Sequence, residues 1–370
     1  MSQTSPASGE ALPAGSGDTI QFDLTVPWLS AHLPGIGGTI KAIPEDFEVE
    51  EIPAYEPAGD GEHIFLWVEK RGLGAEELVR HIARELEISS GEIGVAGMKD
   101  RHAVTRQFVS VPRSAAGRLD KLNTAQIHLL SSCAHTQRLR TGHLRGNRFR
   151  ILVRDVPGNA AELAAPILDL LKQRGLQNFF GAQRFGRDQE TVRIGMQMLH
   201  GELRSPPGHW SRKRFLRKLA LSAAQALLFN RYLARRMQDG LQGTVLDGDV
   251  MFKQTGGIFY VTDQATEQAR FDRRETVHAG PIFGKRMFAS RGESLARERA
   301  ILAEAGIADS QFRAFGQLLA GTRRRNLVYL DDLTITPLPH GLEFQFTLPA
   351  GSYATILLAE FMKNANGISG

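Results

Sequence analysis

One carboxylate in this sequence stands among several cationic side chains. The segment GVAGMKDRHAVTRQFVSV holds a single acid, Asp100, beside Lys99, Arg101, His102 and Arg106. Such a cluster is either a solvated loop with neutralising charges or a site that keeps an acid ionised beside a polyanionic substrate. A nearby cation lowers the pKa of a carboxylate by charge attraction. We expect Arg106 to be that cation, reaching back along the outgoing strand.

The elements around Asp100 place it in a connection between two β-like segments. GVAGM before it is small and apolar, and RQFVSV after it is β-prone. Loops at strand ends commonly carry catalytic groups. Upstream, His63–Gly72 predicts a strand, and 74–88 predicts an amphipathic helix because its leucine and isoleucine side chains recur every four residues.

Further elements follow downstream. Arg148–Val156 alternates basic and apolar residues, which predicts a strand with one wet, cationic face and one buried face. Asn159–Gly175 predicts a helix, and Arg212–Met237 one long helix or two, with a basic first turn that opposes the helix dipole. An RNA phosphate is one explanation of those charges. Leu333–Leu348 predicts a hairpin that turns near His340–Gly341.

The domain organisation follows from where a core can form. From 231 to 325 the pattern loosens into short β-like runs and glycine turns, and the C-terminal segment is too small for a core of its own. We expect that segment to pair with a sheet built by the first half of the chain. Residues 20–178 and 328–370 are then a discontinuous domain, 179–327 an inserted domain, and 1–19 a disordered tail rich in Ser, Gly, Ala and Pro.

Composition excludes several classes of protein. The 370 residues carry a mildly basic formal charge of +5, and the single cysteine, Cys133, permits neither an intrachain disulfide nor a cysteine-based zinc site. One cysteine suits a reducing cytoplasm. No stretch approaches the roughly 20 apolar residues of a membrane span, and the N-terminus lacks the regions of a signal peptide. We therefore expect a cytoplasmic protein without a membrane partner.

Common catalytic and cofactor signatures are absent. GIGGTI lacks the third glycine of a dinucleotide loop, AGPIFGKR departs from a phosphate-binding loop at both ends, and neither HExxH nor GxSxG occurs. The histidines have no ligand spacing. We expect neither a metal nor a cofactor.

Basic stretches with interspersed aromatic residues remain. HTQRLRTGHLRGNRFR (His135–Arg150) and NFFGAQRFGRD (Asn178–Asp188) combine arginines with phenylalanines. Arginines at this density suit a phosphate backbone, and a ring among them suits base stacking. Each phenylalanine could equally be a core residue, because Phe is often buried.

Five blocks, in order, resemble the TruD-type tRNA pseudouridine synthases. They are KAIPEDFEVEE, GVAGMKDRHAVTRQ, LRGNRF, NFFGAQRFG and LPAGSYAT, and they span Lys41 to Thr355. The resemblance implies an α+β fold, with a catalytic domain around a mixed, mainly antiparallel sheet and a smaller α+β insertion. It also implies an isomerase that converts a uridine of tRNA, by family resemblance U13, to pseudouridine.

The resemblance assigns roles to individual residues. Asp100 matches the catalytic aspartate, Phe47 an aromatic residue near the target uridine, and Asn147 a uridine-contacting asparagine. Phe149 matches the ring that stacks on the base, and we favour base contact over a core position for it. Tyr353 stands where the family usually has Phe, which adds a hydroxyl group.

Other basic residues are candidates for contacts to the substrate. Lys41 either binds phosphate or pairs with Glu45 or Asp46, and Arg106 is a further candidate substrate contact. The candidates for RNA-backbone contacts are Arg138, Arg140, Arg145, Arg184, Arg212, Lys213, Arg214, Arg323 and Arg324.

Two rival functions remain open beside the isomerase. One is a non-catalytic RNA-binding protein or RNA chaperone, which would gain nothing from an acid facing phosphates. The other is a nucleoside glycosidase, which also uses carboxylates and would release free uracil. The partner that the sequence implies is tRNA, and it implies no protein partner.

Overall fold

The computed structural model describes residues 21–203 and 214–364. The predicted disordered tail, 1–19, and the candidate RNA contacts Arg212 and Lys213 lie outside these residues. No helix within the described ranges is both long and apolar enough to cross a lipid bilayer.

The described residues combine strands and helices, as an α+β fold requires. The strands are β1 Phe47–Pro53, β2 His63–Arg71, β3 Gly94–Val95, β4 Val104–Pro112, β5 Ile127–His135, β6 Leu144–Val153, β7 Leu176–Gln177, β8 Val250–Lys253, β9 Ile258–Tyr260, β10 Thr276–Ile282, β11 Thr322–Arg325, β12 Leu327–Val328, β13 Thr334–Leu338 and β14 Gly341–Pro349. The helices are α1 Ala75–Glu85, α2 Ala160–Arg174, α3 Glu190–His200, α4 Arg214–Gln238, α5 Gln264–Asp272, α6 Gly292–Glu304, α7 Asp309–Arg313 and α8 Ala354–Met362.

One large sheet joins the two ends of the chain. Its order is β13-β14-β6-β1-β4-β2-β5, with β3 on β4, and only β1 and β4 run parallel. The predicted mixed, mainly antiparallel sheet is confirmed. The C-terminal hairpin turns at 339–340, and its strand β14 pairs with β6. This confirms the predicted pairing of the C-terminal segment with a sheet built by the first half of the chain.

The two faces of this sheet differ because side chains alternate along each strand. One face, here called the site face, carries Phe47, Glu51, Lys70, Asn147 and Phe149. Helices α2 and α8 cover its β1–β6–β14 part, and α1 packs over β2 and β4. Between the two apolar clusters the site face is polar.

The opposite face, here called the ion-pair face, alternates acids and bases across strands. Arg148 donates to Glu50 at 3.0 Å, and Arg150 bonds both Glu48 and, at 3.0 Å, Glu343. The alternation predicted for Arg148–Val156 is confirmed by burial. Its arginines, however, are neutralised by glutamates of neighbouring strands rather than left as a cationic face.

The buried residues of a second core all lie within 179–327, and Phe22, Leu24, Val26 and Ile356 pack against it from outside that range. Helices α3 and α4 pack together with Phe179, Phe185 and Phe283, and a separate sheet has the order β11-β10-β8-β9. Strands β7 and β12 pair where the chain enters and leaves this segment. That pairing supports the predicted boundaries at 178/179 and 327/328, which stay predictions.

Candidate active site

Asp100 lies in an irregular segment after β3, and its carboxylate faces Lys41. Lys41 Nζ is 3.4 Å from Asp100 Oδ2, with the Lys41 side chain 8% exposed and that of Asp100 50% exposed. The ammonium group also lies 4.6 Å from the centroid of the Phe47 ring. An aromatic face and a carboxylate both attract a cation. The arrangement therefore presents an accessible carboxylate oxygen beside a fixed positive charge.

The loop before β1 positions Lys41. Its backbone adopts the left-handed region, with φ 61°. Asp46 is buried and receives two hydrogen bonds from Arg154, at 2.8 and 2.7 Å, while Glu45 bonds Arg71. The sequence alternatives in which Lys41 pairs with Glu45 or Asp46 are therefore wrong, because both acids have arginine partners and Lys41 is directed toward Asp100.

Lys99 connects Asp100 to Asn147. Its ammonium group donates to Glu51 Oε2 at 2.8 Å and to Asn147 Oδ1 at 2.9 Å, and the Glu51 side chain is fully buried. Glu51 and Asn147 lie opposite each other in the β1–β6 pair. Because an ammonium group can only donate, it orients the amide oxygen of Asn147 toward itself and the amide NH₂ group away.

Lys70 supports the Asp100 segment from within the sheet. It is fully buried, and its ammonium group donates to the carbonyl oxygens of Leu73 at 2.6 Å and Asp100 at 2.7 Å. Burial lowers its pKa from 10.5 to about 8, and Asp100 partly opposes this shift. Lys70 is the side chain that holds the Asp100 backbone in place.

The lowered pKa of Lys70 predicts a pH-dependent contribution to stability. Between the folded pKa of about 8 and the unfolded value of 10.5, the unfolded chain binds more protons at this site, so stability rises with pH. We expect the free energy of unfolding of the wild type, minus that of Lys70→Met, to increase from pH 8 toward 10. Urea unfolding of both proteins across this range measures it. A difference that stays constant or falls contradicts the prediction.

Phe149 is a core residue in this structure, which corrects the prediction that favoured base contact. The residue is 7% exposed, and its ring stacks on Phe346 at 5.2 Å between centroids and meets Phe47 edge-on at 6.2 Å. Phe346 lies directly opposite it on β14. Phe47 and Phe149 together form an apolar layer next to Lys41 and Asn147.

Arg106 does not pair with Asp100. It lies on the ion-pair face, where its guanidinium group is 2.8 Å from Glu69 and 3.7 Å from Glu48. Strand alternation explains the error, since Thr105 faces the site and Arg106 therefore faces away. Its predicted role as a substrate contact of this site is not supported. Arg101 likewise pairs with a glutamate, Glu77, at 2.8 Å.

Tyr353 stands at the start of α8, beside the inserted segment. Its ring lies 5.9 Å from that of Phe180. Burial raises the pKa of its phenol above the usual range, while Arg184 and Arg324 act in the opposite direction. Among the described residues, no hydrogen bond or ring contact joins Tyr353 to the Lys41–Asp100 pair.

The predicted RNA-backbone residues differ in accessibility. Arg140, Arg145 and Arg214 are exposed, and Arg138 is half-buried, donating to the carbonyl oxygen of Ile93 at 2.5 Å. Arg184 and Arg324 line a cavity that is described below.

Arg323 is a correction to that set. Its side chain is fully buried and pairs with Glu298 at 2.5 Å, and its Nε donates to the carbonyl oxygen of Phe288 at 2.7 Å. A guanidinium group in a buried pair has no path to a phosphate. Arg323 is therefore structural.

Sequence reasoning missed Glu51 and Lys70. Lys70 lies in the predicted strand 63–72, and Glu51 lies in the KAIPEDFEVEE block that carries part of the family resemblance. In the strand 63–71, Lys70 alternates in phase with the buried Leu66 and Val68, which was the available signal for an inward lysine. Within 21–203 and 214–364, no three His, Cys, Asp or Glu side chains cluster as metal ligands.

Comparison with known proteins gives one consistent family. The model of tRNA pseudouridine synthase D (TruD) matches residues 23–206 and 211–361. A tRNA pseudouridine synthase D of Anaeromyxobacter sp. (strain Fw109-5) is 43% identical over 338 residues, which cover 91% of this chain and 96% of that protein. A tRNA pseudouridine synthase D of Thermus thermophilus is 42% identical over 339 residues, covering 91% of this chain and 92% of that protein.

A solved structure shares the fold. It is the crystal structure of a candidate tRNA pseudouridine synthase D from Methanosarcina mazei, with a TM-score of 0.72 and 24% identity, covering 92% of this chain and 96% of that one. The family model and the relatives each extend over most of the chain. The chain belongs to the tRNA pseudouridine synthase D (TruD) family.

Proposed function

We propose that this protein converts a uridine of tRNA, U13, to pseudouridine, with Asp100 as the nucleophile. The observation that carries the proposal is the half-exposed Asp100 carboxylate, 3.4 Å from Lys41 and linked through Lys99 to Asn147. Membership of the TruD family supports tRNA as the substrate. A uridine must leave its stack to reach such a side chain, at a cost of a few kcal/mol.

The chemistry fits a carboxylate without a redox partner. The bond between uracil N1 and ribose C1′ breaks, the ring turns, and C5 bonds to C1′; C5 loses a proton and N1 gains one. No electrons are gained or lost overall. A covalent adduct of Asp100, at C1′ of the ribose or at C6 of the ring, divides this conversion into two easier steps.

The neighbours of Asp100 have separate tasks in this proposal. Lys41 keeps positive charge beside the carboxylate, and Lys70 fixes its backbone. The amide NH₂ group of Asn147, directed away from Lys99, would donate to O4 of uracil. Cytosine carries an amino group at that position, which is a donor and cannot accept this hydrogen bond. Phe47 and Phe149 supply an apolar floor rather than an exposed stacking ring.

One assay separates the isomerase from its rivals. The protein is incubated with unmodified bulk tRNA, the RNA is digested to nucleosides, and pseudouridine and free uracil are measured. The proposal expects pseudouridine and no uracil; a glycosidase would release uracil, and an RNA-binding protein neither. A tRNA transcript with cytidine at position 13 should lose the product, and product retained there would overturn the choice of U13.

Salt dependence tests which arginines contact the RNA backbone. Arg140→Gln should reduce the slope of log Kd against log salt concentration by about one, because an exposed arginine that contacts a phosphate releases a counterion. Arg323→Gln is the matched comparison. It should leave the slope unchanged and lower stability instead, since its guanidinium group is buried against Glu298. Binding of tritiated tRNA at four salt concentrations measures the slopes, and urea unfolding measures the stabilities. Equal slopes for the wild type and Arg140→Gln contradict the assignment of Arg140 as a phosphate contact.

A further inference from the structure

A cavity of about 320 Å³ lies where the inserted segment meets the end of β14. Arg184, Arg324 and Arg325 line it on the inserted side, together with Arg323, whose guanidinium group is paired with Glu298. Pro349 and Ala350 line the β14 side. Small-molecule sites in proteins start at roughly this volume. The mechanism above uses none of these groups.

The cavity is cationic and lacks an acid. Arg184, Arg324 and Arg325 form no ion pair with any described carboxylate, and no Asp or Glu lines the cavity. The Nε atoms of Arg184 and Arg325 are buried and have no hydrogen-bond partner among the described residues. Burying a charged donor without a partner is unfavourable. Arg184 otherwise donates to Ser222 Oγ at 2.9 Å, and Arg324 donates to the carbonyl oxygen and Oδ1 of Asn178 at 2.9 and 2.7 Å. These partners are neutral, so an anion would supply both the missing acceptors and the missing counter-charge.

The aromatic rings of the cavity are already covered by cations. Arg324 lies 4.0 Å and Arg184 5.8 Å from the centroid of the Phe180 ring, and Arg325 lies 4.9 Å from that of Phe252. Burial lowers the pKa of Arg324 to about 10, and Arg184 adds to that shift, so the group stays charged at neutral pH. A base that stacked on these rings would compete with the arginines already packed against them. The ligand is an anion rather than a base.

We propose that Arg184, Arg324 and Arg325 bind one phosphodiester group of the substrate RNA, next to the extruded nucleotide. The position of the cavity supports the placement of this phosphodiester group next to the extruded nucleotide. Leu348 lies opposite Asn147 in the sheet, and the next two residues of the chain, Pro349 and Ala350, line the cavity. Guanidinium groups bind phosphate through paired, charge-assisted hydrogen bonds. This proposal rests on the proposed function for the identity of the RNA.

The first test measures binding in the Asp100→Asn background, so that chemistry does not enter. Arg325→Gln should weaken tRNA binding about tenfold. Arg325→Lys should weaken it by less, because lysine keeps the positive charge and loses only the paired hydrogen bonds of the guanidinium group. The control is Arg235→Gln, an exposed arginine paired with Glu304 at 3.1 Å, which should stay within about twofold. Thermal unfolding of each variant checks that it folds.

The second test identifies the group bound. Single methylphosphonate linkages, which are uncharged, are placed one at a time on either side of the target uridine in a synthetic tRNA. One linkage should weaken binding about tenfold in the parent protein and less than about twofold in Arg325→Gln. The proposal would be overturned if every linkage weakened binding by the same factor in Arg325→Gln as in the parent protein. It would also be overturned if Arg325→Gln bound unmodified tRNA with unchanged affinity.

Failure here is distinguishable from failure of the proposed function. Suppose that the wild type forms no pseudouridine, yet one uncharged linkage weakens tRNA binding in the parent protein and has little effect in Arg325→Gln. The phosphate pocket is then supported and the isomerase proposal fails. If pseudouridine forms and the linkage weakens tRNA binding as much in Arg325→Gln as in the parent protein, only the pocket proposal fails. Inorganic phosphate adds a check: at matched ionic strength it should compete with tRNA more than chloride does, and the excess should disappear in Arg325→Gln.

Discussion

Asp100→Asn should reduce pseudouridine formation by a factor on the order of 10⁴ or more, because the amide cannot act as the nucleophile. The same change should leave the fold intact. The carboxylate is half-exposed, and a pair with an exposed partner contributes about 0–1 kcal/mol to stability. The bond that holds this segment in place, from Lys70, goes to the backbone carbonyl oxygen and survives the substitution.

Two measurements check this expectation. Single-turnover formation of pseudouridine gives the rate, and filter binding gives the affinity for tRNA, which should change by less than about threefold because the variant removes a group that acts in the transition state. Asp100→Ala guards against deamidation of the asparagine back to aspartate. Asp120→Asn, at an aspartate outside the site, is the matched control and should retain full activity. Activity of Asp100→Asn above about a tenth of wild type would exclude Asp100 as the nucleophile.

Sequence patterns predicted the elements better than the partners of individual side chains. The inward and outward alternation around Phe149 and the helix at 75–85 depend on local periodicity, and the structure confirms both. The pairing of the C-terminal segment with the sheet of the first half was predicted because that segment is too small for its own core, and β14 does pair with β6. In 231–325 only short strands and turns were predicted, and helices α5, α6 and the short α7 were missed. Each exposes most of its length, so its apolar spacing is weak.

The errors in the candidate site share a cause. A cluster of charges in sequence does not fix which charges meet in space, because neighbouring residues of a strand face opposite ways. Lys99, Arg101 and Arg106 each bond a glutamate from another part of the chain, while the cation beside Asp100 comes from a loop 59 residues earlier, at Lys41. Such long-range pairs have no local signal. The core position of Phe149 has the same origin, since Phe346 covers its ring from β14.

The second large effect should come from Lys99→Met. Glu51 is fully buried, and Lys99 is its ion-pair partner; apart from Lys99, Glu51 receives only a long hydrogen bond, 3.4 Å, from the backbone of Phe108 among the described residues. Removing one partner of a buried pair leaves an uncompensated charge, which costs about 3–5 kcal/mol. We expect a loss of this size in the free energy of unfolding, measured in urea. Lys121→Met, which removes the exposed pair with Glu87, should cost less than about 1 kcal/mol.

A double variant separates stability from function at this pair. Glu51→Gln combined with Lys99→Met removes both charges, so most of the lost stability should return, because an uncharged amide needs no buried counter-charge. Activity should not return, since Asn147 has lost the ammonium group that orients its amide. The measurement is pseudouridine formation on tRNA at a temperature where the double variant is fully folded. Recovery of activity together with stability would show that the pair serves the fold alone and that Asn147 needs no anchor.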